Sequence, residues 1–158
     1  MTKPLTIGEV MTAHLWIIGE DAPLRQARYL MVEHQIHHLP VVQGGRCVGM
    51  LTDRDVKRAL DPDLGLPPED ELFVRDVCVY DVYAVGPDEP LEHVLREMAD
   101  RHIGSTLVVA DRQVRGILTA SDACRVFADF LRATQTALFD QKSGDPSAPR
   151  PGTTTPGA

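Results

Sequence analysis

The chain contains an internal repeat, and this repeat limits the possible folds more than any other feature. When the sequence is shifted against itself by 67 residues, 14 of the 49 positions from 10 to 58 are identical, without a gap. Unrelated segments of similar composition share roughly three identities over such a length. The 158 residues are therefore predicted to form two related halves, each too small to bury an adequate core alone.

Both halves have the same predicted order of elements. In the first, an apolar stretch at 15–18 precedes a helix that Asp21 is expected to cap, with a proline in its first turn. Two apolar runs separated by the polar segment 43–46 predict a β-hairpin, and a second helix begins after Thr52. The second half repeats this pattern 67 residues later.

This pattern predicts an α/β (α+β) fold in which two tandem βαββα repeats pack about a pseudo-two-fold axis. The connection between the repeats is rich in acids and proline, and the C-terminal segment lacks the apolar residues needed for a core. We expect a first repeat at 1–60, an acidic linker at 61–72, a second repeat with a long C-terminal helix at 73–140, and a disordered tail at 141–158.

Composition excludes several classes of function. The net charge of −7 argues against a nucleic-acid groove, which needs a basic surface. A run of 18 apolar residues is absent from the sequence, so we expect no membrane span. The three cysteines show no CxxC spacing, which is typical of reduced thiols in a cytoplasmic protein.

The sharpest shared motif is GMLTDRD at 49–55, which corresponds to GILTASD at 116–122. Thr-x-x-Asp at the start of a helix resembles a capping box, which is a purely structural role. The same motif also suits a ligand, because helix N-terminal amides attract phosphate and a carboxylate can accept hydrogen bonds from ribose hydroxyls. The glycine would leave room for a flat base beside the backbone. The residues alone leave both interpretations open.

These motifs resemble the CBS-domain family, in which tandem copies form a Bateman module. The resemblance covers about residues 5 to 135. It is carried in the first copy by IGEVMT at 7–12, DAPL at 21–24, IHHLPVV at 36–42 and GMLTDRD at 49–55, and in the second by VRDV at 74–77 and the matching positions through Asp122.

The resemblance implies a non-catalytic regulatory module that requires no cofactor. Such modules bind an adenosine-type ligand (AMP, ADP, ATP or S-adenosylmethionine) between the two copies and signal to a partner by conformational change. The resemblance also implies a homodimer with a regulated protein of unknown identity. It assigns ribose contacts to Asp55 and Asp122, phosphate or ribose contacts to Thr52 and Thr119, base contacts to Met50 and Ile117, phosphate-side positions to Arg54, Ser121 and His37, and the adenine wall to Ile18 and Val85.

The two copies differ at positions that would contact a phosphate. Ser121 stands where the first copy has Arg54, and Gly104 stands where it has His37. We therefore expect a stronger site at Asp55, with the second site empty or occupied by a less charged ligand. The few cations also favour a mono- or diphosphate over a bare triphosphate.

Other interpretations of the same residues remain open. His34, His37 and His38 could be solvated, contact phosphate, or hold a metal, although the expected end of the helix before Pro40 argues against a metal site, and none is predicted. The sequence lacks the GxGxxG, P-loop and Ser-His-Asp patterns of enzymes. A dimerisation or protein-interaction module without a ligand is the alternative function.

Overall fold

The computed structural model describes residues 3–13 and 15–143. Within these residues the helices are α1 Ile7–Val10, α2 Leu24–Glu33, α3 Asp53–Ala59, α4 Val74–Val77, α5 Leu91–Asp100 and α6 Ala120–Ser143. The strands are β1 Ile18–Gly19, β2 His38–Gln43, β3 Arg46–Thr52, β4 Ala84–Val85, β5 Ser105–Ala110 and β6 Gln113–Thr119. The side chains of 137–143 are not described.

Each repeat contains a three-stranded sheet, with strand orders β1-β2-β3 and β4-β5-β6. The first strand of each sheet pairs in parallel with the second, and the second and third form the predicted antiparallel hairpin. In both hairpins a bulge shifts the register, between Val41 and Val42 and between Val108 and Val109. The predicted mixed fold of two repeats is confirmed.

The predicted cap of α2 is wrong. The helix begins at Leu24 after Pro23, and Asp21 instead forms an ion pair with Arg75 of the second repeat. The amide of Leu24 donates to the carbonyl of Leu72, at 2.9 Å. A helix leaves its first amides without partners, and here the other repeat supplies the acceptor. The amide of Leu91 in α5 donates equivalently to the carbonyl of Leu5, at 2.8 Å.

Two short segments cross between the repeats. We call residues 5–12 the first arm and 72–79 the second arm; they contain α1 and α4, which the sequence had not predicted. Thr12 of the first arm exchanges two backbone hydrogen bonds with Ile117 of β6, and Val79 of the second arm exchanges two with Met50 of β3. These pairs are equivalent under the 67-residue shift, so the exchange is reciprocal, as a pseudo-two-fold relation requires.

Cores form on the buried faces of the sheets. The first repeat buries Leu24, Leu39, Val41 and Leu51 completely, and Val74 of the second arm belongs to the same cluster. One half therefore contributes directly to the other's core. This packing explains why neither repeat is expected to fold alone.

The connection between the repeats contains two turns of 3-10 helix, Pro62–Leu64 and Glu69–Glu71, and ends at Leu72, which is 5% exposed. The chain divides into one unit of residues 1–123, which holds nearly all of both repeats, and a second unit that begins at Cys124 within α6. α6 reaches Ser143, three residues into the segment predicted as disordered. Residues 144–158 lie outside the described residues, so the prediction for the tail stays a prediction. The described helices all lack the combination of length and hydropathy that a bilayer span requires.

Candidate functional site

The Thr-x-x-Asp motif forms a capping box in both repeats. The backbone amide and the hydroxyl of Thr52 donate to Oδ2 of Asp55, at 2.9 and 2.6 Å, and the amide of Asp55 donates back to Thr52 Oγ1 at 3.2 Å. Thr119 and Asp122 make the same three bonds at 3.0, 2.7 and 3.2 Å. In the first repeat Asp55 Oδ1 takes no part in the box, so the structural role of the carboxylate leaves one oxygen available for another donor.

The glycine of the motif has a different role from the one expected. A Cβ on Gly49 would lie 2.6 Å from the carbonyl oxygen of Val79, and one on Gly116 would lie 2.3 Å from Met11 Sδ and 3.0 Å from the carbonyl oxygen of Thr12. The space that was expected to admit a flat base is therefore filled by the arm of the other repeat. Close approach of the second arm's backbone explains glycine at 49, whereas at 116 the nearest atoms belong to the Met11 side chain.

A cavity of about 450 Å³ lies between the repeats and brings both motifs together. Its volume is within the range of small-molecule sites. Of the predicted site residues, six line it: Met50, Thr52, Arg54, Asp55, Thr119 and Ser121. Further lining residues come from the second arm and the second repeat, and include Val79, Asp81, Tyr83, Arg101, Gly104 and Ser105.

Five of the predicted site residues do not line this cavity. Ile117 packs against the lining residues Met50 and Leu107, and Asp122 is bonded to the lining residue Thr119. Ile18 is buried in the core of the first repeat at 3% exposed, and Val85 is half-buried on β4. The fifth is His37.

His37 lies on a different surface. Its Nδ1 is 3.3 Å from Asp53 Oδ2, its side chain is 71% exposed, and it lines a groove between α2 and α3. His38 lines the cavity instead and pairs with Thr52 across the hairpin. A regular hairpin closed by Gln43 and Arg46 would have set His37 opposite Thr52. The bulge in β2 shifts the pairing by one residue, and adjacent residues of a strand face opposite sides.

The charges around the cavity are mixed. Two guanidinium groups, Arg54 and Arg101, and three carboxylates, Asp53, Asp55 and Asp81, contribute to its lining. Burial lowers the pKa of His38, an effect that nearby carboxylates only partly offset, so this imidazole is neutral at pH 7. The formal charge of the lining is therefore about −1, which disfavours a ligand that carries several phosphates.

The histidines at 34–38 have separate partners. His34 stacks on Trp16 with ring centroids 3.8 Å apart, His37 is close to Asp53, and His38 faces the cavity. Among the described residues, groups of three His, Cys, Asp or Glu side chains placed to hold a metal ion are absent. Cys47, Cys78 and Cys124 are free thiols.

The fold and the paired motifs define a tandem module with a ligand-sized cavity between its repeats. A family model for the CBS domain matches residues 7–62 and again 74–129. The chain belongs to the CBS domain family.

Several known proteins share this architecture. An acetoin utilization protein (AcuB) from Vibrio cholerae is 26% identical, with a TM-score of 0.73 over 84% of this chain and 97% of that one. The CBS domain pair of protein MJ0100, solved in complex with 5′-methylthioadenosine and S-adenosyl-L-methionine, is 26% identical, with a TM-score of 0.71 over 80% of this chain and 98% of that one.

Other relatives are larger proteins. The L-aspartate semialdehyde sulfurtransferase of Methanocaldococcus jannaschii is 30% identical over 130 residues, which are 80% of this chain and 24% of that protein. The chain also spans about a quarter of a homoserine O-acetyltransferase of Methanohalobium evestigatum, at 27% identity. CBS domain pairs are generally regulatory and non-catalytic, and this chain matches only about a quarter of each of these enzymes.

Proposed function

We propose that this chain is a regulatory module that binds an adenosine-type ligand in the cavity between its two repeats. The observation that supports this most directly is the convergence of both Thr-x-x-Asp motifs on one cavity of nucleotide size. Asp55 Oδ1 would accept hydrogen bonds from ribose hydroxyls, and Thr52 and Thr119 would contact ribose or phosphate. Asp122 would act through Thr119, to which its carboxylate is bonded. The adenosine ligands of the MJ0100 domain pair are consistent with this class of ligand.

The charge of the cavity narrows the choice of ligand. Two arginines face three carboxylates and a neutral His38, so each phosphate beyond the first adds repulsion without adding a cation. AMP, ADP and S-adenosylmethionine fit this balance better than ATP without Mg²⁺. A location in the cytoplasm agrees with the three free thiols.

Signalling would follow from the position of the cavity. Its walls come from both repeats, so a ligand contacts both and favours the relative arrangement that it fits best. It can shift that equilibrium only by its difference in affinity for the two arrangements. A separate regulated protein would then bind one arrangement in preference to the other.

Ligand binding can be tested by calorimetry and thermal melting with AMP, ADP, ATP and S-adenosylmethionine. A ligand at 100 times its Kd should stabilise the protein by about 2.7 kcal/mol, and for a chain of this size this raises the Tm by roughly 5–10 °C. Asp55→Ala should lower the affinity at least tenfold. If no adenosine ligand raises the Tm or releases heat, the proposal fails.

A matched control separates ligand contact from helix capping. Asp76 accepts a hydrogen bond from the amide of Phe73 at 2.8 Å and so caps α4, but it does not line the cavity. Asp76→Ala therefore removes a cap of the same kind and should leave affinity within twofold. Equal losses of affinity in both variants would show that Asp55 acts through stability alone.

The alternative function, an interaction module without a ligand, has its own observation. The groove between α2 and α3 has a volume of about 600 Å³, and Tyr29 and Val32 of α2 are 63% and 74% exposed. Exposed apolar surface of this kind is typical of protein contacts. Under either function we propose a homodimer, and light scattering that detects only a 17.4 kDa species would contradict it.

A further inference from the structure

The two repeats contain equivalent pairs of an aromatic ring and a basic side chain. In the first, the Trp16 ring stacks on His34 with an angle of 10° between the planes. In the second, the guanidinium carbon of Arg101 lies 5.0 Å from the centroid of the Tyr83 ring. Members of the two pairs are related by the 67-residue shift. His34 and Arg101 each follow the last residue of a helix, α2 and α5. In both repeats the fold therefore fixes the side chain at a helix end against a ring.

The two pairs differ in their relation to the cavity. Tyr83 and Arg101 both line it, whereas neither Trp16 nor His34 does. The second repeat therefore presents a permanently charged, planar group to the ligand space, and the ring beneath it limits the conformations that the side chain can adopt. A donor positioned in this way loses less conformational entropy when it binds an anion.

Arg101 is also free to bind an anion. Among the described residues, no carboxylate lies within 4.0 Å of Arg101 or of Arg54, which also lines the cavity, whereas Arg28, Arg75 and Arg96 each form an ion pair. Arg54 comes from the first repeat and Arg101 from the second. A ligand whose anionic group reached both guanidinium groups would contact both halves of the chain.

We propose that the cavity takes one phosphorylated ligand per chain, and that Arg101, fixed over Tyr83, is the residue that selects a phosphate over a neutral nucleoside. This inference rests on the proposed function and specifies the ligand of the same site. We infer a single ligand in this cavity because residues of both motifs line the same space of about 450 Å³. A guanidinium can donate two parallel hydrogen bonds to a phosphate, which gives selectivity as well as affinity.

Calorimetry with AMP, adenosine and 5′-methylthioadenosine tests the inference. Wild-type protein should bind one AMP per chain, at least tenfold more tightly than adenosine or 5′-methylthioadenosine. Arg101→Gln should lower the affinity for AMP by about 10- to 100-fold, the usual effect of losing a hydrogen bond to a charged group, and should change that for adenosine by less than twofold. Tyr83→Leu, which removes the ring but keeps the charge, should cause a smaller loss for AMP.

Arg96→Gln is the matched control. Arg96 lies on the same helix and pairs with Glu92 outside the cavity, so this variant removes an equal charge. It should leave both affinities unchanged. A melting curve for Arg101→Gln that superposes on the wild type would confirm that the fold is intact.

Three results would overturn this inference and leave an adenosine site standing. They are two AMP molecules per chain, an equal loss for AMP and adenosine in Arg101→Gln, or tighter binding of 5′-methylthioadenosine than of AMP. If neither nucleosides nor nucleotides bind the wild type, both the inference and the proposed function fail.

Discussion

Gly49 offers the sharpest test of how the two halves hold each other. Alanine at this position would place a Cβ 2.6 Å from the carbonyl oxygen of Val79, well inside van der Waals contact. The obstacle is backbone, which has no rotamer to change. We expect the second arm to be displaced, so that the two hydrogen bonds between Val79 and Met50, both 2.9 Å long, are lost.

The expected cost follows from these bonds. Each backbone hydrogen bond contributes about 1 kcal/mol, and burying unpaired groups adds to the loss. Gly49→Ala should therefore reduce the free energy of unfolding by about 2–3 kcal/mol, which corresponds to a decrease in Tm of roughly 4–12 °C for a chain of this size. Urea unfolding followed by circular dichroism measures the difference.

Two other glycines provide controls. A Cβ on Gly19 meets nothing within 4 Å, so Gly19→Ala should change stability by less than about 0.5 kcal/mol. Gly116→Ala should be intermediate, because its nearest neighbour is the flexible Met11 side chain and the carbonyl of Thr12 is 3.0 Å away. If Gly49→Ala is as stable as Gly19→Ala but no longer binds AMP, the glycine serves the ligand and the steric argument is refuted.

Three further predictions concern single side chains. Thr106 is fully buried and its hydroxyl has no hydrogen-bond partner, and the first repeat has Leu39 at the equivalent position. Thr106→Val should therefore raise the free energy of unfolding in urea by about 1 kcal/mol. A decrease would show that the hydroxyl is satisfied. Gln35 and His102 adopt φ of 51° and 54° just beyond α2 and α5, so glycine at either position should stabilise by up to about 1 kcal/mol in thermal melts, and a decrease in Tm would contradict this. Burial lowers the pKa of His38, so the unfolded chain binds a proton more readily than the folded one. The stabilisation should be complete above the unfolded pKa of about 6.5 and should decrease as the pH falls below it. If the dependence of stability on pH is unchanged in His38→Gln, His38 is not its origin.

Local patterns predicted much of the fold. Apolar periodicity and the polar turn at 43–46 were sufficient for the hairpin, because both depend on neighbours in sequence. The cap assigned to Asp21 failed because its partner, Arg75, lies 54 residues away. The acceptor for the first amide of α2 is equally distant, at Leu72. No local pattern contains such information.

The sequence predicted those residues of the candidate site that belong to a local motif. The Thr-x-x-Asp motif located Thr52 and Asp55, since a capping box is set within four residues. The sequence predicted His37 at the site, whereas His38 lines the cavity. The bulge in β2 causes this difference of one residue, and it leaves no clear signal in the sequence. The contact of Arg101 with Tyr83 joins the end of α5 to the residue just before β4, and only the folded chain shows that both line the cavity.

The crossing arms determine how the two halves would behave if the chain were cut between them. Every backbone bond that Thr12 or Val79 makes across the halves would be equally satisfied by a second molecule, since the bonds do not depend on how the halves are joined. Separate peptides of residues 1–65 and 66–143 should therefore fold only when they associate. Mixing the two peptides should restore the native hydrogen bonds of Thr12 and Val79. The covalent connection at 61–72 then acts chiefly as a tether, which makes this association intramolecular and independent of dilution.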